Sequence, residues 1–266
     1  MLSADAPLRF VNRWGIPCVM VGPLPIADTS EDAFVRIAAV RLKASAGGVV
    51  VTPNLNHLAG LSHDPRLLRQ YLGADVMLPD GIPIVLLSRA LTGLPIRRVT
   101  GSGVVARLLP VTANLGARIA LVGGSRQTHS RFRRKLAELG LEEDRILGVE
   151  LSFPFNPASP EAHRAAATVA AFRPQLVLVA LGFPTQERWA TAFSRLFPAA
   201  VVLCVGAAVD FFAGVKRRAP RFLQTTGLEW LWRVCTEPRR LLPRYVRDAF
   251  ALPAIVKLLR DESRVP

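Results

Sequence analysis

Several stretches of this chain are apolar on almost every position: VVVTPN (49–54), ARIALVGG (117–124), QLVLVALG (175–182) and AAVVLCVG (199–206). A strand with one wet face alternates apolar and polar residues, so unbroken apolar runs belong to strands covered on both faces, the condition of a parallel sheet between helices. ADVML (74–78), RRVTG (97–101) and RILGVEL (145–151) read as further strands. Segments of helical period separate them, at 30–44, 64–72, 82–91, 125–139, 160–172 and 184–196. The first has Thr29 or Ser30 as N-cap and acids in its first turn. Alternation of this kind predicts an α/β fold, a Rossmann-like, mostly parallel sheet flanked by helices.

At 266 residues, half of them hydrophobic and 20% charged, the chain is long enough and apolar enough to pack a sizeable core. Cys18, Cys204 and Cys235 show no CxxC spacing, which points to a reduced, cytosolic-facing protein. His57, His63, His129 and His163 are scattered, without zinc-ligand spacing. The N-terminal sequence does not read as a signal peptide, and no run approaches the roughly 20 apolar residues of a membrane span. The expectation is a protein that is soluble or lies on a membrane.

The alternation stops after Asp210. Residues 1–210 are therefore expected to form the core and 211–266 a basic helical appendage, whose removal should leave a folded but inactive core. Of the formal charge of +14, an excess of seven lies between 216 and 247, where nine Lys or Arg face only Glu229 and Glu237. Such asymmetry implies a polyanionic partner. Leu252, Ile255, Val256 and Leu259 stand at helical spacing, which suits either docking on the core or lying on a membrane.

In an open α/β sheet, ligands bind beyond the carboxyl ends of strands. Four such ends stand out here. Thr52, Pro53 and Asn54 follow an all-valine run, and could hold a sugar or an acceptor hydroxyl, or be an Asx-capped turn. Asp80 and Gly81 leave the next strand; the carboxylate is a candidate general base, although Asp-Gly is more often only a turn. Gly123 and Gly124 precede Ser125 where a strand meets a helix, and permit close approach of a phosphate to backbone N–H groups. Gly182, Pro184, Gln186 and Glu187 open another helix at its positively polarised end, where a ribose or uracil could be read. No D-x-D, P-loop, G-x-S-x-G or H-E-x-x-H occurs. Neutralisation of a departing diphosphate would then fall to arginines, which bind phosphate bidentately.

The ordered set TPN, PDG, VTGSG, VGG, LGFPTQERW, VGAAVDFFAG, KRRAP, GLEWLWR and EPRRLLPRY resembles the WecG/TagA/CpsF family of glycosyltransferases, over about residues 15–247. The resemblance implies inverting, metal-independent transfer of a HexNAc-type sugar or hexose from a UDP-sugar to an undecaprenyl-diphosphate-linked sugar, with no cofactor. It places the work at the cytoplasmic face of a bacterial membrane, in cell-surface polysaccharide synthesis. The family's base falls on Asp80, its acceptor-side pair on Thr52 and Asn54, and its nucleotide-sugar Q-E motif on Gln186 and Glu187. Its active-site-closing arginines fall on Arg233, Arg240 and Arg244. Gly103 stands where members often have an acid, and Val209 where many have Phe; both bear on donor identity rather than reaction class.

The arginines and tryptophans of the tail fit this reading, with Trp230 and Trp232 suited to a water–lipid interface, or one of them to anchoring the appendage on the core. Glu229 and Arg233, four apart, could pair on a helix. The expected partners are a UDP-sugar, the lipid-linked acceptor and an anionic membrane surface; a homo-oligomer is compatible with the chain. The rival is a nucleic-acid-binding module using the basic tail on phosphates. Repeated prolines and the lack of a groove-reading helix weigh against it, so no nucleic acid is expected.

Overall fold

The computed structural model describes residues 9–260, apart from the side chains of Arg9, Arg221 and Thr225. Residues 1–8, part of the stretch read for a signal peptide, and 261–266 of the basic tail lie outside it. Among the described residues nine strands form one sheet: β1 (Arg9–Val11), β2 (Pro17–Val21), β3 (Leu24–Ala27), β4 (Gly48–Val51), β5 (Val76–Met77), β6 (Ile119–Gly123), β7 (Ile146–Val149), β8 (Leu176–Ala180) and β9 (Val201–Cys204). Their order across the sheet is β1-β2-β3-β5-β4-β9-β8-β6-β7. All pairs from β3 to β7 are parallel, while β1, β2 and β3 form an antiparallel edge. β6 and β9 are buried throughout, as their unbroken apolar runs demand.

The helices are α1 (Glu31–Lys43), α2 (Leu55–His63), α3 (Pro65–Leu72), α4 (Ile82–Thr92), α5 (Gly101–Asn114), α6 (Arg126–Glu138), α7 (Pro160–Phe172), α8 (Thr185–Phe193), α9 (Ala208–Phe212), α10 (Arg221–Thr225), α11 (Glu229–Thr236), α12 (Pro238–Phe250) and α13 (Leu252–Arg260). One face of the sheet is covered by α2, α3, α7, α8 and α13, the other by α1, α5, α6 and α9. The chain leaves β6 through α6 toward the β7 edge, and leaves β8 through α8 on the opposite face toward β9. The carboxyl ends of β6 and β8 therefore flank a switch point, where open α/β sheets form a crevice.

Two expectations are corrected. RRVTG is not a strand: Val99 is held by a hydrogen bond from its N–H to Pro79 O, and Thr100 is the N-cap of α5. β-Forming residues there serve burial and capping instead of a ladder. Glu229 does not pair with Arg233; its carboxylate meets Arg218 at 3.4 Å, and Arg233 lies over the Phe211 ring.

Of the two readings of the last helix, docking is what occurs: Ile255, Leu258 and Leu259 of α13 are buried in the core face shared with α2. Gly22, in the turn between β2 and β3, lies against the backbone of Leu259, so close that a Cβ would stand 2.6 Å from its Cα. No helix among the described residues is long and apolar enough to cross a membrane.

Candidate active site

The β4 and β5 ends bring three of the expected residues together. Thr52, buried just past β4, donates its hydroxyl to Cys204 O at the end of β9 (3.1 Å). Asn54 is the N-cap of α2, its side-chain oxygen accepting from the N–H groups of Asn56 and His57. The Asx cap suggested by the sequence thus forms, and it leaves the Asn54 amide nitrogen uncommitted to the cap. Asp80 follows β5 and its N–H donates to Pro53 O (2.8 Å), which fixes the loop against the β4 end.

The Asp80 carboxylate is half-buried and accepts from Gly101 N–H at the start of α5 (3.4 Å). Loss of water pushes it up to about 6, reinforced by the charge of Glu229 and opposed by Arg233, the Gly101 N–H and Arg98. A carboxylate in that range is ionised at neutral pH yet basic enough to take a proton.

Glu229 and Arg233 reach this point because 216–233 folds back across the carboxyl end of the sheet. Arg98 donates to Gln224 O, Arg218 bonds both Glu229 and the Thr100 hydroxyl (3.2 Å), and a Cβ on Gly227 would collide with Ile82, just beyond Asp80. Thr100 in turn bonds Glu31 through its N–H and hydroxyl, and Glu31 pairs with Arg107. Gly103 is confined by the same Glu31, whose carboxylate occupies the space a Cβ would need. Helix α1 thus brings a carboxylate to the position at which the family pattern often carries an acid on the loop itself.

Arg233, Arg240 and Arg244 are only partly a group. Burial and the charges of Arg233 and Arg240 hold the Arg244 guanidinium below its ordinary value, so the three sense one another. Arg240, however, pairs with Glu237, which is also held by Lys216 (3.2 Å), and Arg244 stands 3.8 Å from Asp248. In this arrangement Arg233 is the one with a strong influence on Asp80.

Gln186 and Glu187, both buried at the start of α8, lie next to β9: the Cys204 thiol donates to Gln186 O. Burial pushes the Glu187 carboxyl up to about 7. His57 stacks on Phe183, bonds Tyr71 (3.0 Å) and approaches Glu187 to 3.9 Å; burial and Arg244 push its imidazole down to about 3, so it is neutral there. Gly182 and the cis Phe183–Pro184 peptide form the turn into α8. Gly123 and Gly124 take positive φ (80° and 86°) beside the switch point, a conformation that suits glycine. The adjoining Ser125 and Thr128 are tied to Asp210 by a Thr128 hydroxyl bond of 2.8 Å. A cleft of about 690 Å³ adjoins the turn into α8, walled by Phe183 and the expected Pro184 together with His63, Arg188, Arg247 and Phe250; Asp80 is not in its walls.

Arg98, Arg218, Glu229, Asp210 and Glu31 were not among the expected site residues. Four of them stood in motifs of the ordered series, or directly before one, but each gains meaning only from a partner distant in sequence. Among the described residues no three His, Cys, Asp or Glu side chains gather as a metal site would require.

The model of a family described as "Glycosyl transferase WecG/TagA/CpsF family" matches residues 19–264. An N-acetylglucosaminyldiphosphoundecaprenol N-acetyl-beta-D-mannosaminyltransferase of Bacillus spizizenii (strain ATCC 23059 / NRRL B-14472 / W23) is 30% identical over 261 residues, covering 92% of this chain and 97% of its own length. A protein of the same name from Bacillus subtilis (strain 168) is 27% identical over 73% of each chain.

Proposed function

Since the chain belongs to the WecG/TagA/CpsF family of glycosyl transferases, we propose that it moves a sugar from a UDP-sugar onto an undecaprenyl-diphosphate-linked sugar. N-acetylmannosamine is the first candidate donor sugar and an N-acetylglucosamine-bearing lipid the first candidate acceptor, after the names of the Bacillus relatives. The observation that carries the reading is Asp80: a half-buried carboxylate raised to about 6, beside Thr52 and Asn54, with Arg233 acting on it.

Asp80 takes the proton of the acceptor hydroxyl as its oxygen bonds to the anomeric carbon. The bond from that carbon to UDP breaks on the opposite face, which inverts the configuration. Thr52 and Asn54 hold the acceptor side. Gly123, Gly124, Gly182 and Pro184 let the nucleotide approach the backbone at the switch point. Arg233, with Arg240 and Arg244 once their present pairings exchange for phosphate, balances the charge on departing UDP, the part a divalent ion plays elsewhere. The basic tail places this chemistry at the headgroup level of the inner face of the membrane.

The test is release of UDP from UDP-N-acetylmannosamine by the full chain, with and without N-acetylglucosaminyl-diphospho-undecaprenol. Acceptor-dependent release that persists in EDTA is expected. Release that collapses in EDTA and returns with manganese would remove the arginines from that role. No transfer from any of a panel of UDP-sugars would overturn the function.

A further inference from the structure

Gln186 and Glu187 are consecutive, 3% and 0% exposed, and together they leave an unusual residue of chemistry. The Gln186 Nε2 donates to Glu187 Oε1 (2.8 Å), while Gln186 Oε1 and the second Glu187 oxygen, Oε2, are buried and have no partner among the described residues. A side-chain amide has a donor end and an acceptor end, and whichever neighbour engages one end decides which way the other points. Above about pH 7 the carboxylate is ionised and can only accept, so there Glu187 admits one orientation of Gln186. The free carbonyl oxygen then lies against Gly206, two residues past β9. A Cβ on Gly206 would stand 3.5 Å from that oxygen, and Gly206 itself is part-exposed at the carboxyl ends of the strands.

A carboxylate without a full cationic partner is costly in a fully buried place. The nearest basic group is His57, at 3.9 Å, and it is engaged with Tyr71. Packing alone would be served better by an apolar residue at 187.

We infer that Glu187 is a positioning residue: it fixes the Gln186 amide so that its carbonyl oxygen is offered past Gly206 to one O–H or N–H of the nucleotide-sugar. This rests on the transferase reading above. It takes Glu187 itself away from direct contact with substrate and leaves that contact to Gln186.

The experiment is a double-mutant cycle on transfer by the full chain, assayed at pH 8 with UDP-N-acetylmannosamine and the lipid-linked acceptor. In E187Q the new amide can donate to Gln186, so either orientation becomes available. The expected loss in kcat/KM is about tenfold, the scale of one buried hydrogen bond. Q186A should lose at least as much, and adding E187Q to Q186A should cost nothing further, since Glu187 acts only through Gln186. If E187Q does not melt cooperatively, E187M, which removes the acceptor and leaves an apolar group of similar size, carries the same cycle. Multiplying losses in the double variant would overturn the inference while leaving the transferase intact. A wild-type chain that transfers from no UDP-sugar would overturn both.

Discussion

Asp80 is held between opposing neighbours, and its proton affinity should follow them. As a base it must be ionised, so kcat/KM is expected to rise with pH to a plateau above about 6. Glu229 raises Asp80 and Arg233 lowers it. Glu229→Gln should therefore move the acid limb of the rate profile to lower pH, and Arg233→Ala should move it higher. A limb that stays in place in both variants would assign it to another group. Asp80→Asn should cut transfer by a thousandfold or more, in the range assigned to general base catalysis, with UDP still bound. The same substitution should not destabilise the fold. Because the native carboxyl is raised above its unfolded value of 3.8, the unfolded chain loses this proton first; native stability falls as pH climbs from about 4 to 6 and stays lower above. Thermal melting at pH 8 should show D80N as stable as the parent or more so. Gly103 offers a different kind of test. An alanine there displaces the Glu31 carboxylate and with it both bonds to Thr100, at a cost of about 1–3 kcal/mol. In a Glu31→Ala background most of that cost should vanish, measured by denaturant unfolding.

Helix α5 shows how a site can be built by an element that its sequence disguises. Gly101, Gly103 and Pro110 are poor helix formers, and Val99 and Thr100 favour strands, so the segment reads as a strand followed by little. In the structure Thr100 caps the helix by accepting from Gly103 N–H, and the Gly101 N–H of the first turn donates to Asp80. Thr100→Ala removes the cap, the hydroxyl bond to Glu31 and the Arg218 contact at once, keeps the N–H bond to Glu31, and should cost about 1–2 kcal/mol of stability. The central parallel strands were plain in the sequence because burial on both faces leaves no polar position to confuse. The β1–β3 edge was not, because its strands are short and carry Pro17 and Pro25, which ordinarily demote a strand. Helix α2 is hidden in the sequence because LNHLAGLSH follows the TPN turn directly and its Asn56, Gly60 and Ser62 are weak helix formers. The same logic holds at the site. Asp80, Thr52 and Asn54 sit next to strand ends and could be found locally. Arg218 acquires its role from Thr100, 118 residues away, and no spacing rule spans that distance.

Taken as one body, the protein concentrates positive charge and exposed apolar side chains in one region. Leu242, Val246 and Phe250 follow one another at four-residue intervals on α12, are 51%, 47% and 81% exposed, and lie among Arg239, Arg240 and Arg247. That pattern suits an interfacial helix, with each basic residue near anionic lipid contributing about 1 kcal/mol. Cosedimentation with phosphatidylglycerol-containing vesicles is expected, weakening as salt rises, with little binding to phosphatidylcholine alone; salt-dependent capture of random DNA in preference to vesicles would favour the nucleic-acid alternative. Removal of 211–266 bears on more than closure, however. It strips Ile255, Leu258 and Leu259 from the core, on the order of several kcal/mol of burial. Inactivity of that truncation should thus come with a lowered melting temperature rather than with an unaltered core.

The meeting of Gly22 with Leu259 bears on how substrate gets in. Upstream, Val209 fixes α9 in the core; downstream, the hairpin turn clasps α13. The arginine-rich length between them is fastened at both ends like a bucket handle, so any lift from Asp80 has to break the Arg98–Gln224 and Arg218–Thr100 bonds while the ends stay put. Amide exchange should accordingly run faster from 216 to 233 than at 255–259, where α13 is buried in the core.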